Sequence, residues 1–208
     1  GPMPLADINF YNKISDTDFR KLSWKAPAGS VLEGKNTYID TATGAALPEY
    51  ASLKFRPGSG NMSDFNVGSA CSYPMMRVEE MYFIEAEAAA QQNPAQGVNL
   101  LNDFMSNHRD PHYKCTKSSK EDVVKEIVFQ KRVELWGEGQ SFFDIKRLNL
   151  PVTRGYAGTL HHTIGRFNTT TRPAWMNFCI VRSEGNNNTA LVGFENPDPS
   201  DVYSSWAE

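Results

Sequence analysis

The chain has 208 residues, enough to bury a substantial core as one domain or one domain with an appendage. A net charge of −3 and a pI near 5.9 leave no basic surplus, which argues against nucleic acid or an anionic membrane face as partner. No apolar run approaches the roughly 18 to 20 residues of a bilayer span. The three cysteines, Cys71, Cys115 and Cys179, are too few and too scattered for a disulfide framework, although they leave room for one bridge.

Gly1-Pro2 reads as a cloning or protease scar, and no signal peptide follows it. Residues 3–73 show little helical periodicity and carry a breaker every few positions, among them Pro27, Gly34, Gly44, Pro48, Pro57 and Gly68. This pattern predicts a loop-rich segment with short strands at 37–39 and 51–55 and a short helix capped by Asp16. Asp16 and Asp18 lack the alternating oxygen ligands and closing glutamate of a calcium loop. Trp24 and Tyr38 lie in this segment, where exposed binding aromatics commonly sit; the competing reading is that they anchor loops to a helical body.

The texture changes at Pro74, since proline suits the first turn of a helix. Val78, Met81, Tyr82, Glu85, Ala88 and Ala89 form one face of the helix that follows, and Ala86 and Ala90 keep the adjacent stripe narrow enough for another helix to approach. Asn93-Pro94 ends that helix and starts a second, with Val98, Leu101, Phe104 and Met105 on its apolar face and a stop at Asp110-Pro111. The pair makes a hairpin of roughly 34 residues, the size of a tetratricopeptide unit.

Ser118 and Ser119, with Glu121 and Asp122, cap a third helix whose stripe is Val123, Val124, Ile127, Val128, Lys131 and Leu135. Gly137 and Gly139 break it, and Ser141 caps a fourth with Asp144 as acidic partner. Residues 74–150 are thus expected to form a core of two helical hairpins. Glu134, Glu138, Asp144 and Arg147 gather four charges about one corner, the pattern of a partly buried ion network that fixes helix angles; Glu80 and Glu87 of the first helix are assigned to the same structural network. A catalytic carboxylate pair is the minor alternative, because neighbours one helical turn apart do not flank a bound sugar.

Residues 151–208 return to loops and are expected to dock on the core, with strands at 159–163 and 178–181 and Trp175 between them. His108, His112 and Cys115 are close in sequence, but Pro111 breaks the face that would align the histidines and no second cysteine pair follows, so no metal site is assigned. No phosphate loop, dinucleotide fingerprint or nucleophile elbow occurs, and no cofactor is implied.

Taken together, the motifs resemble one family. R-V-E-E-M-Y-F-I-E-A-E-A at 77–88 is similar to the R-l-a-E-m-y-L-i-r-A-E-A helix of the SusD/RagB family, the nutrient-binding lipoproteins of the Bacteroidetes outer membrane. Leu101-Asn102 matches that family's next helix, and E-L-W-G-E-G-Q-S-F-F-D-I-K-R at 134–147 looks like its E-L-a-f-E-G-q-R-w-f-D-L-k-R hallmark. Ile180, Glu184, Asn188 and Asn196-Pro197 are similar to its closing signatures, and 16–20 resembles a D-x-R stretch found midway along such proteins. Gln130-Lys131 stands where the family commonly has Glu-Arg, Ser141 where an arginine is usual and Val181 where a proline is usual.

The resemblance covers about 74–197 and implies the carboxy-terminal part of a longer protein. The implied fold is mainly α, with tetratricopeptide-like hairpins, long loops and a few short strands. The implied function is non-catalytic capture of an oligosaccharide or polysaccharide at the cell surface and its delivery to a SusC-like, TonB-dependent outer-membrane transporter. A lipid anchor would sit in an amino-terminal part absent from this chain. Trp24, Tyr38 and Trp175 are the aromatic platforms that the helical faces leave unclaimed. The alternatives are a helical-repeat scaffold that binds only protein partners and a peptide-binding member of the same family.

Overall fold

A computed structural model describes residues 4–36, 46–55 and 72–196. The expected strand at 37–39 and Tyr38 lie outside the described residues. The chain divides into two compact units, Gly1–Gln140 and Ser141–Glu208. The fold is mainly helical.

In the first unit, α1 (Ile8–Asn12) opens on Asp7, whose carboxylate accepts from the Phe10 backbone N–H at 2.9 Å. One turn and a half is too short for periodicity to register, and the breaker pattern hid this helix. A 3-10 turn at Phe19–Ser23 is capped by Asp18, so the expected cap at Asp16 is corrected by two residues. Asp18 wins because its carboxylate reaches both the Arg20 backbone N–H and the Arg20 side chain, while Asp16 is taken by Lys21 Nζ at 2.7 Å.

The helical hairpin follows the sequence closely. α2 (Val78–Gln92) ends at Asn93, which then caps α3 (Pro94–His108) by accepting from the Ala95 N–H, with Pro94 in the first turn. α2 and α3 close tightly at Gly97: a Cβ there would lie 2.5 Å from Ala90 Cβ and 2.9 Å from the Ala86 carbonyl oxygen. Leu101, Phe104 and Met105 are buried as expected. The face of α2 that the hairpin buries is Phe83, Ala86, Glu87 and Ala90, so the small-residue stripe carries the packing. Val78, Met81 and Tyr82 remain exposed, although Tyr82 stacks on Phe104 with ring centroids 5.2 Å apart.

α4 (Lys120–Glu134) is capped by Ser119, whose hydroxyl accepts from the Asp122 N–H and donates to the Asp122 carboxylate. Its predicted stripe is buried throughout, and so are Gln130, Val133 and Glu134. The helix is covered on more than one side because it serves two cores. One is shared with α2 and α3. The other is an aromatic cluster in which Val133, Phe129 and Trp136 meet Ala6, Phe10, Tyr11, Ile14 and Trp24 from the loop-rich segment.

The second unit opens within α5 (Gln140–Leu148), whose first residue is the last of the first unit, so Ser141 sits inside the first turn instead of capping it. Gly139, at φ +84°, occupies the position before the helix. A short α6 (Arg182–Asn187) and 3-10 turns at Thr163–Gly165, Ala174–Met176 and Thr189–Leu191 complete it.

Among the described residues the expected strands at 51–55, 159–163 and 178–181 do not form. Ala51 and Ser52 make single bridges to Leu5 and Trp24, two different segments, so no ladder can propagate. Thr159 accepts from the His161 N–H and His162 caps the next 3-10 turn, local bonds that compete with strand pairing. Val181 is already the cap residue of α6.

Gly97→Ala tests the hairpin contact. Helix propensity alone favours alanine by about 1 kcal/mol. The close backbone of Ala86 and Ala90 cannot yield as a flexible side chain would, so the variant should lose about 1–3 kcal/mol in chemical denaturation. A stabilised variant would show that the helices are less tightly apposed.

Candidate functional site

The densest polar constellation lies at the carboxy-terminal end of α4. Helices leave their last carbonyls without partners and present a partial negative charge there, so cations collect at that end. Arg77 and Lys54 donate to the Glu134 carbonyl at 2.8 Å each, Lys54 also reaches the Trp136 carbonyl at 3.0 Å, and Arg20 donates to the Gln130 carbonyl at 3.2 Å.

The same cations neutralise two buried carboxylates. Glu134 accepts from Arg109 at 2.7 and 3.1 Å, from Arg77 at 3.1 Å and from Arg20 at 3.2 Å. Glu138 accepts from Arg77 at 2.9 to 3.2 Å and also pairs with Lys54. Asp18 binds Arg20 from the other side, and Glu79 joins Arg77 and Arg109. Four cations face four carboxylates, so the cluster is balanced.

Burial by itself opposes ionisation of Glu134, but the hydrogen bond from Arg109, the charges of Arg20 and Arg109 and the bond from Arg77 outweigh it, and its pKa falls to about 2. Burial lowers the pKa of Lys54, and its bond to Glu138 recovers part of the loss. A carboxylate held ionised, with both oxygens already accepting from arginines, is poorly suited to take or give a proton.

Beside this network lies a cavity of about 230 Å³, with Phe19, Trp24 and Val133 as apolar walls and Lys54, Arg77, Glu79 and Arg109 as polar ones. Its polar walls are spent on one another. Gly137, at φ +78°, lets the chain turn immediately after this cluster, and a Cβ there would lie 2.5 Å from the Phe55 ring.

The sequence assignments sort as follows. Glu134 and Glu138 are brought together, while Asp144 pairs with Arg147 at 2.7 Å within the second unit. Glu79, one residue before Glu80, is the α2 carboxylate that reaches Arg77 and Arg109. Glu87 is buried on α2. Arg77, Arg109 and Lys54 were not singled out as network members. Their one sequence signal was indirect: acids placed in an apolar stripe demand cations from elsewhere.

Trp24 requires correction. It is 1 % exposed, with edge contacts to Phe10, Tyr11 and Trp136 at 5.7, 6.4 and 5.7 Å between centroids, and so is a core residue and not an exposed platform. Its aromatic partners come from segments far apart in sequence, which the loop texture around it conceals.

Trp175, in contrast, is 42 % exposed on the 3-10 turn Ala174–Met176, which Met176 anchors by burial. Its ring meets the Phe167 ring edge-on at 4.7 Å, and the Arg154 guanidinium lies over Phe167 at 5.1 Å. Two loop segments are pinned together beneath them: the Arg154 N–H donates to the Phe167 carbonyl at 3.0 Å, Asn168 bonds Gly155 in both directions, and the Thr169 N–H donates to the Val152 carbonyl. The second unit therefore holds an exposed aromatic surface on a hydrogen-bonded loop frame.

Among the described residues no helix is long and apolar enough to cross a membrane, and no group of three His, Cys, Asp or Glu side chains could hold a metal ion. A helical hairpin packed against a third helix and braced by a buried ion network defines the first unit as a helical domain, and the second unit by itself carries an exposed aromatic on a loop frame. Residues 24–178 match the SusD family, and the chain belongs to it. It is similar to the crystal structure of a SusD-like carbohydrate binding protein from Bacteroides vulgatus ATCC 8482, with 26% identity and a TM-score of 0.59. The match covers 97% of this chain and 43% of that one, so this chain spans less than half the length of that relative. No curated protein sequence matches.

The network makes stability depend on acid. Because the folded pKa of Glu134 is depressed, its contribution is present above the ordinary value of 4.5 and is lost as pH falls toward about 2. The denaturation free energy should fall by roughly 3 kcal/mol more across that window in the parent than in Glu134→Gln. Parallel profiles would place the carboxylate's charge outside the folding balance.

Proposed function

We propose that this protein binds a glycan without chemical turnover and, as part of a longer lipid-anchored protein at the bacterial outer-membrane surface, passes it to a SusC-like, TonB-dependent transporter. The observation that carries the reading is its membership of the SusD family, joined to its likeness to a relative described as carbohydrate binding. Trp175 supports it physically. The C–H face of a sugar desolvates against an aromatic ring while its hydroxyls need polar partners, and Trp175 offers such a ring, partly exposed on a 3-10 turn. The neutralised state of Glu134 and Glu138 supports binding over hydrolysis, which requires two carboxylates of opposed protonation facing each other across a cleft.

Calorimetric titration with a panel of oligosaccharides, paired with a reducing-end assay on the same samples, tests this. Heat of binding with no new reducing ends is the expected result; released reducing ends would overturn the non-catalytic reading. Trp175→Ala should weaken binding roughly three- to tenfold and lower the melting temperature by no more than a few degrees, as fits the loss of one stacking contact. Trp24→Ala should instead cost about 3–5 kcal/mol of stability.

A further inference from the structure

From residue 145 to residue 183 the chain has no aspartate or glutamate, yet it carries Lys146, Arg147, Arg154, Arg166, Arg172 and Arg182, in a protein whose overall charge is −3. This stretch contains both loop segments of the Trp175 surface. The cations are not equivalent. Arg147 pairs with Asp144, Arg166 donates to the His161 carbonyl at 2.8 Å, and Arg172 donates to the Lys146 carbonyl at 3.4 Å. Arg154 is exposed, and among the described residues its guanidinium has no carboxylate partner.

The guanidinium of Arg154 is instead laid over Phe167, whose ring in turn meets Trp175. Stacking on an aromatic ring restrains a guanidinium while leaving its N–H fork open to bind a carboxylate or sulfate in bidentate fashion. The backbone under it is fixed as well, since the Arg154 N–H is shared between the Phe167 carbonyl and Asn168 Oδ1 at 3.0 and 3.1 Å. An exposed ring for a sugar face and an oriented, unneutralised cation thus sit on one frame. Resting on the glycan-binding reading above, we infer that the Trp175 surface selects acidic glycans, with Arg154 reading the carboxylate of a uronic acid unit while Trp175 stacks on a sugar ring.

The test is a calorimetric titration of the full chain with oligogalacturonates and with neutral galacto-oligosaccharides of equal length, each at low and at raised salt. The acidic series should bind at least tenfold more tightly at low salt, and raising the salt should narrow that gap. Arg154→Gln should shrink the preference at least fivefold, and Arg154→Lys should restore it only in part, since lysine keeps the charge but not the fork. Equal binding of both series, or an unchanged preference in Arg154→Gln, would overturn the inference and leave glycan binding intact. Binding of neither series would overturn the inference, while the glycan-binding reading would fall only if the wider oligosaccharide panel also gave no heat. Polyglutamate of matched charge should not displace the oligogalacturonate; displacement would reveal ion exchange in place of sugar recognition and would also overturn the inference.

Discussion

The first unit depends on how the buried carboxylate of Glu134 is neutralised. A lone ion at that depth is untenable, because desolvation costs several kcal/mol unless geometry and hydrogen bonds repay it. Glu134 meets the requirement by accepting from three arginines that come from three places in the chain: Arg20 from a 3-10 turn, Arg77 from the residue before α2, and Arg109 from the residue after α3. One acid on α4 therefore fixes the entry of one helix, the exit of another and the course of a loop.

The arrangement also explains why a loop-rich amino-terminal segment is ordered where it is described. Residues 4–36 form little repetitive backbone bonding, so their positions are set by scattered backbone bonds, such as those between Lys25 and Ala51 and between Ala6 and Tyr50, together with side chains. Arg20 ties the segment to the end of α4, while Phe10, Tyr11 and Trp24 fill the aromatic cluster against Phe129, Val133 and Trp136. Apolar burial supplies most of the free energy there, and the ion network supplies the register. In the second unit the same logic is smaller in scale: backbone and amide bonds between two loop segments support Phe167, Arg154 and Trp175.

Helices were legible in sequence wherever a local period or cap reported them. Val123 through Leu135 announced α4, Asn93-Pro94 announced the hairpin corner, and the small residues Ala86 and Ala90 announced close approach. Glu134 and Glu138, two of the network's four acids, were legible too from the charges gathered at one corner, while Asp18 and Glu79 were not singled out as network members. The cations of Glu134 were not legible, because pairing across 25 to 114 positions leaves no local trace. Trp24 failed as a candidate platform for the same reason, its burial being decided by Phe10 and Trp136 at a distance. Single bridges replaced strands because the pairing segments run alongside one another for one residue at a time. What the family resemblance added, the hallmark at 134–147, coincides with the corner where the cations converge.

A double-mutant cycle on Glu134 and Arg109 addresses the central claim most directly. If the carboxylate is held by this arginine in a buried, bidentate pair, then Glu134→Gln and Arg109→Met combined should cost at least about 1 kcal/mol less than the sum of the two single variants in chemical denaturation. Costs that add within about 0.3 to 0.5 kcal/mol would contradict the account, since independent sites behave in that way.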